Sequence, residues 1–301
     1  MIVRPRPRLI DVAFSLRGSI LPKIYLRISA MALFSAAVVG VARVYPTAFD
    51  QLTATPFTLI GISLSIFLSF RNNVCYERWW EARKQWGQLI VDVRSLARET
   101  AGLGDIDWPR VQFLEKLCAF VGALAARLRG KDEVSAALTW APDAGRLTNH
   151  PNPSDALLTE LGNELAALAN AGTISEWRYT ILEARLVSLS GVQAACERIK
   201  TTPAPFAYSL LIHRTAYLFC LLLPFGLAGS LGWATPIPVV IVAYAFFGLD
   251  ALGDELEDPF GNDDNDLPLN ALVRTAERSL IAAMGTRDIP PDAGPKGYRL
   301  D

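Results

Sequence analysis

Four apolar runs, arranged as two pairs, set the first limit on what this chain can become. They are ISAMALFSAAVVGVARV (Ile28–Val44), PFTLIGISLSIFLSF (Pro56–Phe70), TAYLFCLLLPFGLAGSLGW (Thr215–Trp233) and PIPVVIVAYAFFGLDALG (Pro236–Gly253). Each falls short of the roughly 20 residues that a lone membrane helix needs. Flanking residues such as KIYLR extend the first by laying their stems along lipid. Any one run alone reads equally as a buried core helix. Four together, the last two separated only by ATPI, predict spans over 24–44, 56–72, 212–232 and 235–253. The first run starts late and lacks a small-residue cleavage site, which argues against a removable signal peptide.

Charge around these runs gives an orientation. Arg4, Arg6, Arg8, Arg17, Lys23 and Arg27 precede the first span, whereas the loop from Tyr45 to Thr55 has no Lys or Arg. Arg71, Arg78, Arg83 and Lys84 follow the second span. Positive residues stay on the cytoplasmic side, so both termini and the long middle are expected there, in an inner-membrane protein. Net charge is only −1, so neither a nucleic acid nor another bulk polyanion is an expected partner.

The middle, 73–211, is mostly polar and helical in period. One predicted helix opens at Asp107, with Trp108 and Pro109 as its first residues, and closes near Gly130. A second runs from about Ser154 to Gly172. A third begins at Thr173 or Ser175 and stops before Pro203. No alternating strand pattern of useful length occurs, so the fold class is all-α, a single domain over 1–301. The Pro- and Gly-rich end, 287–301, reads as a mobile tail. Cys75, Cys118, Cys196 and Cys220 are scattered without a CxxC pair, and the two histidines, His150 and His213, lack zinc-ligand spacing. The cysteines read as small buried residues.

The stretch GISLSIFLSFRNNVCYERWWEARKQWGQL (61–89) passes from apolar to charged with no Pro or Gly to break it. On a helix, taking Ile62 as zero, Ile66 falls at about 40°, Phe70 at about 80°, Asn73 at about 20° and Glu77 at about 60°. These five share one stripe: three bulky apolar residues, an amide, then a carboxylate. Such a stripe either packs on a neighbouring helix or lines a pore that opens into an aqueous vestibule. Ser63, Ser65 and Ser69 lie on other faces, where small residues permit close helix contact. Arg78 and Glu81 are spaced to pair on the helix surface. His213, beside Arg214, reads as an interface or helix–helix polar contact rather than a catalytic base.

Three motifs carry a resemblance. FLSFRNNVCYERWWEARKQWGQL resembles the bestrophin signature S/T-N-x-x-Y-x-R-[WF]-x-E-[AG]-R. QAACERIKTTPAPFAYSLLIHR is similar to GACERI-x-x-TP-x-P-x-x-Y of the bacterial branch, and DELEDPFGNDDNDLPLN to the acidic NPFG-x-D-x-x-D segment. The matches run in order from about residue 10 to residue 280. The resemblance implies a homopentameric ion channel of the bacterial inner membrane, bathed by lipid and passing small monovalent ions. Its apolar neck would be Ile62, Ile66 and Phe70, the same three that the helical stripe singles out, with Asn73 and Glu77 in the vestibule below. A second constriction at the cytoplasmic mouth corresponds to Ile181, with Leu182 or Trp177 as alternatives. Animal members pass anions such as chloride and bacterial members monovalent cations; the carboxylate of Glu77 favours cations, although helix-end amides could still favour anions.

The acidic run after the last span suits a hard cation, and in animal members its equivalent clasps calcium. Here Asp263 and Asp266 stand at the matching places and Asp258 where Asn is usual. The candidate set is Asp258, Asp263 and Asp266 for calcium, with no cofactor required. The competing reading pairs the same loop with the N-terminal arginines. Nothing suggests an enzyme: there is no metal cluster, nucleophilic triad or Gly-rich phosphate loop. A secondary transporter is the rival membrane function, because short spans interrupted by Pro and Gly mark such proteins.

Overall fold

The structure, a computed structural model, describes residues 1–4, 18–49, 55–103, 108–285 and 287–301. Arg6, Arg8, Arg17 and the Asp107 cap lie outside them. In chain order the helices are α1 (Leu21–Val44), α2 (Pro46–Phe49), α3 (Thr55–Ala101), α4 (Arg110–Leu128), α5 (Glu133–Ala137), α6 (Pro153–Asn170), α7 (Glu176–Thr201), α8 (Phe206–Leu231), α9 (Pro236–Glu257) and α10 (Leu269–Met284). No strand occurs among the described residues, only isolated bridges such as Ile2 with Arg299. The fold is all-α. The chain divides into two compact units, Pro5–Trp79 with Pro203–Asp258, and Met1–Arg4 with Trp80–Thr202 and Pro259–Asp301. Helix α3 contributes residues to both.

The first unit holds the apolar parts of α1, α3, α8 and α9, the four helices long and apolar enough to cross a membrane. Its core is built by Ile24 of α1, Leu64 and Leu68 of α3, Ala216 and Cys220 of α8, and Phe247 of α9. Phe49 stacks on Phe225 at 6.2 Å, and Gly229 lets α8 approach the Phe49 backbone. Pro224 sits inside α8, yet the helix runs unbroken from Phe206 to Leu231. Two of the serines interleaved along α3, Ser63 and Ser65, turn inward on their own helix. Ser63 Oγ donates to the Leu59 carbonyl at 3.0 Å and Ser65 Oγ to Gly61 at 2.8 Å, a local bond that leaves no bare hydroxyl in hydrocarbon.

In the second unit α4 is buried nearly all round, with Phe113, Leu114, Leu117 and Phe120 fully enclosed. Caps follow the sequence closely. Asn152 accepts from Asp155 N at 3.2 Å to start α6, and Ser175 from Arg178 N at 3.2 Å to start α7, each contributing about 1 kcal/mol. Helix α4 starts two residues later than expected, with Pro109 in the capping position. Helix α10 was not among the helices expected from the sequence; it ends on Gly285, whose left-handed φ of 67° suits a residue without a Cβ.

The segment 287–301, expected from its composition to be mobile, is instead tied down. Leu300 N donates to Met1 O at 2.9 Å and Val3 N to Tyr298 O at 2.8 Å. Asp301 pairs with Arg129 at 2.6 Å, Arg278 with Asp292 at 2.9 Å and Arg287 with Glu115 at 2.8 Å. Composition described the local chain, whereas these partners are remote in sequence.

All four cysteines are free and buried. Burial, helped by the charges of Glu81 and Glu197, pushes the Cys196 thiol up to about 12, and burial raises that of Cys118. A thiol reacts as its thiolate. Native protein at pH 8 should therefore label far more slowly with a maleimide than protein unfolded in denaturant, as counted by intact mass.

Candidate functional site

Helix α3 has two opposite faces along its apolar half. On the wheel that puts Ile62 at zero, Leu64, Leu68, Arg71 and Cys75 fall at about 200°, 240°, 180° and 220°, and all four are buried. The stripe of Ile62, Ile66, Phe70, Asn73 and Glu77 is centred near 40°, about 170° away. Ile62, Ile66 and Phe70 remain 55%, 50% and 58% exposed. Asn73 and Glu77 are exposed too, and Glu77 has no ion-pair or hydrogen-bond partner among the described residues. The subunit's own core thus leaves this stripe uncovered.

What fixes that rotation is a buried polar cluster that sequence reasoning missed. Arg71, next to Phe70, is 2% exposed and lies against α9. Its Nη1 donates to Asp250 Oδ1 at 2.9 Å and to the Asp250 carbonyl at 3.2 Å; Nη2 meets Asp254, with Glu257 at 3.6 Å. His213 of α8 reaches the other oxygen, Asp250 Oδ2, through Nδ1 at 2.6 Å. The contact joins two helices, as read from the sequence. Gly253 makes room for the guanidinium, since a Cβ there would stand 2.6 Å from Asn72 Oδ1 and 3.0 Å from Arg71 Nη1. The signal available in the sequence was Asp250, a lone acid inside an apolar run, which in a membrane span is costly unless paired.

Of the other candidates, Ile181 on α7 is 37% exposed and Trp177 78%, whereas Leu182 is fully buried and belongs to the core of its unit. In the acidic loop, no group of three or more His, Cys, Asp or Glu is gathered as ligands among the described residues. Asp266 accepts from the backbone N of Asp263 at 2.6 Å, and Asp258 is the C-cap of α9. Among the described residues Arg299, from the far end of the chain, reaches this loop, 3.7 Å from Asp264 and bonded to the Asn262 carbonyl. Arg78 donates to the Glu257 carbonyl at 3.2 Å, and Glu81 pairs with Arg198 at 2.6 Å.

The model of the bacterial and fungal bestrophin proteins matches residues 1–282. The chain belongs to the bestrophin family. A voltage-dependent anion channel-forming protein of Mesorhizobium japonicum is 44% identical over 292 residues, 97% of this chain and 94% of that protein. Another protein so named, YneE of Escherichia coli K12, is 41% identical over the full length of both. The crystal structure of a bacterial bestrophin homolog from Klebsiella pneumoniae superposes with a TM-score of 0.84 at 37% identity, covering 88% of this chain and all of that one.

For this bestrophin, Gly253→Ala is a direct test of the buried cluster. The added methyl forces the guanidinium or the amide to shift, so the substitution should destabilise by about 1–3 kcal/mol. A lowered melting temperature in detergent checks it.

Proposed function

We propose that this bestrophin is an ion channel: a homopentamer whose five α3 helices enclose a pore through the bacterial inner membrane, with both termini cytoplasmic. One observation carries the reading. Three bulky apolar side chains, followed by an amide and an unpaired carboxylate, stand exposed on the face of α3 opposite its own core. Repeated by closed cyclic symmetry, one stripe becomes stacked rings. Rings of Ile62, Ile66 and Phe70 form a hydrophobic neck that resists ions by expelling water. Asn73 and Glu77 form the vestibule, and Ile181 the cytoplasmic aperture, with Trp177 the alternative. Passage through such a neck needs no cofactor and no catalytic group, in keeping with a channel rather than an enzyme.

The permeant species are small monovalent ions. The unpaired Glu77 supports cations, because an acidic ring concentrates them. The name of the relatives supports the second reading, chloride or another anion. Reversal potential in asymmetric salt separates the two, and under the cation reading Glu77→Gln moves it toward zero. A secondary transporter is the weaker alternative: its broken spans have no counterpart at Pro224, where α8 stays continuous.

Mass measurement in detergent should return five subunits. Replacing Ile62, Ile66 and Phe70 together by Ala should raise single-channel conductance with little change in reversal potential, since uncharged rings discriminate sign poorly. Melting should fall by less than the 2–5 kcal/mol per residue of a core truncation, because these side chains contact few neighbours. A badly assembled triple mutant with unchanged unitary conductance would instead mean that the stripe is packing.

A further inference from the structure

The Asp250 carboxylate is divided between two helices, Oδ1 taking Arg71 of α3 and Oδ2 taking His213 of α8. Asp250 and Arg71 are enclosed, whereas the His213 side chain is 39% exposed. One member of the chain α8–α9–α3 is therefore left partly uncovered by the subunit itself. Arg71 directly follows Phe70, so any rotation of α3 at Arg71 carries the lowest apolar residue of the stripe with it. We propose that His213 is a proton-binding site that, through Asp250, sets the hold of α9 on the pore helix at Phe70, with Asp250 and Arg71 as positioning residues. The consequence for conduction rests on the channel reading above.

The charges around the imidazole support this. From α9 it faces Asp250, and beyond it Arg71 of α3 is shared with Asp254 and Glu257. On its own helix Tyr217 lies 4.8 Å away ring to ring, and Arg214 is adjacent in sequence. From α1, Arg27 sits over the Tyr217 ring at 5.8 Å, while Lys23 pairs with Glu255 at 2.7 Å. Around Arg71 three carboxylates share one guanidinium, and a protonated imidazole adds a second cation at one of them, Asp250. The neutral ring holds Oδ2 by an ordinary hydrogen bond; the imidazolium holds it by a charge-assisted one, which is about twice as strong. Imidazole is the side chain whose ordinary titration falls between about pH 5 and 8. The chain has only two histidines, and His150 is spent on the exposed turn at Asn152.

The test is conductance of the purified channel in planar bilayers from pH 5 to pH 8. The wild type should show a step in this range, His150→Gln should keep it, and His213→Gln should lose it, since an amide can still bond Asp250 but cannot titrate. His213→Asn serves if the glutamine variant does not assemble. A flat wild-type profile, or a step that survives at His213→Gln, overturns the proposal. Melting temperature gives a readout independent of conduction: the advantage of wild type over His213→Gln should be larger at pH 5.5 than at pH 8, and an equal advantage at both overturns it. A protein that passes no ions yet shows the pH-dependent melting gap would defeat the channel reading and leave the proton site standing.

Discussion

The rotation of α3 about its own axis is the constraint on which the rest depends, because half a turn exchanges the exposed stripe for the core. Apolar contacts alone fix rotation loosely, since hydrophobic burial is non-directional. Leu64 and Leu68 would pack nearly as well after a small twist. A guanidinium bonded to Asp250 and Asp254 does not slide in that way, because each bond has a preferred length and angle. Removing one partner of such a buried pair leaves an uncompensated charge, at about 3–5 kcal/mol. The cluster therefore contributes direction more than net stability, and it does so one residue beyond Phe70.

The surface left over on the spans follows from that orientation. Only 17% of the apolar window of α3 is buried, against 39% for α8 and for α9. Lipid can cover exposed isoleucine and phenylalanine, but it gives no reason for Asn73 and Glu77 to continue the same stripe. Association in a bilayer has no hydrophobic drive, so close packing of small residues has to supply it. Ser63 and Ser65 fit that need with their hydroxyls already satisfied on the helix backbone. The interleaving of serine with isoleucine thus serves two surfaces of one helix.

The parts legible in the sequence were those set by local period. The spans, the stripe and the Ser175 start of α7 follow from 3.6-residue spacing and capping chemistry, and they need no knowledge of distant neighbours. The partnership of Arg71, Asp250 and His213 was not legible, because 179 residues separate the first two and 37 the last two. Asp250 alone, an acid within PIPVVIVAYAFFGLDALG, was the visible trace. The tail failed for the same reason: proline and glycine report a poor local former, while Arg129 and the Met1 backbone supply ties that no local rule contains. In the acidic loop the turn sets the Asp266 carboxylate on the Asp263 amide, a local bond that helical period does not report.

The treatment of charge on the two faces of α3 is the last step. On the buried face every carboxylate near Arg71 is matched: Asp250 by Arg71 and His213, Asp254 and Glu257 by Arg71. Further along, Glu81 is matched by Arg198. Among the described residues Glu77, one turn beyond Asn73 on the stripe, has no such match. An unpaired carboxylate on a fold-holding helix would gain stability from a nearby cation, and arginines are plentiful in this stretch, with Arg78 and Arg83 on the same helix. Its isolation fits a role toward something that passes rather than something that stays. In the channel proposed above, uncharged rings would set how hard it is to cross, while a ring of carboxylates would set which sign gathers to cross.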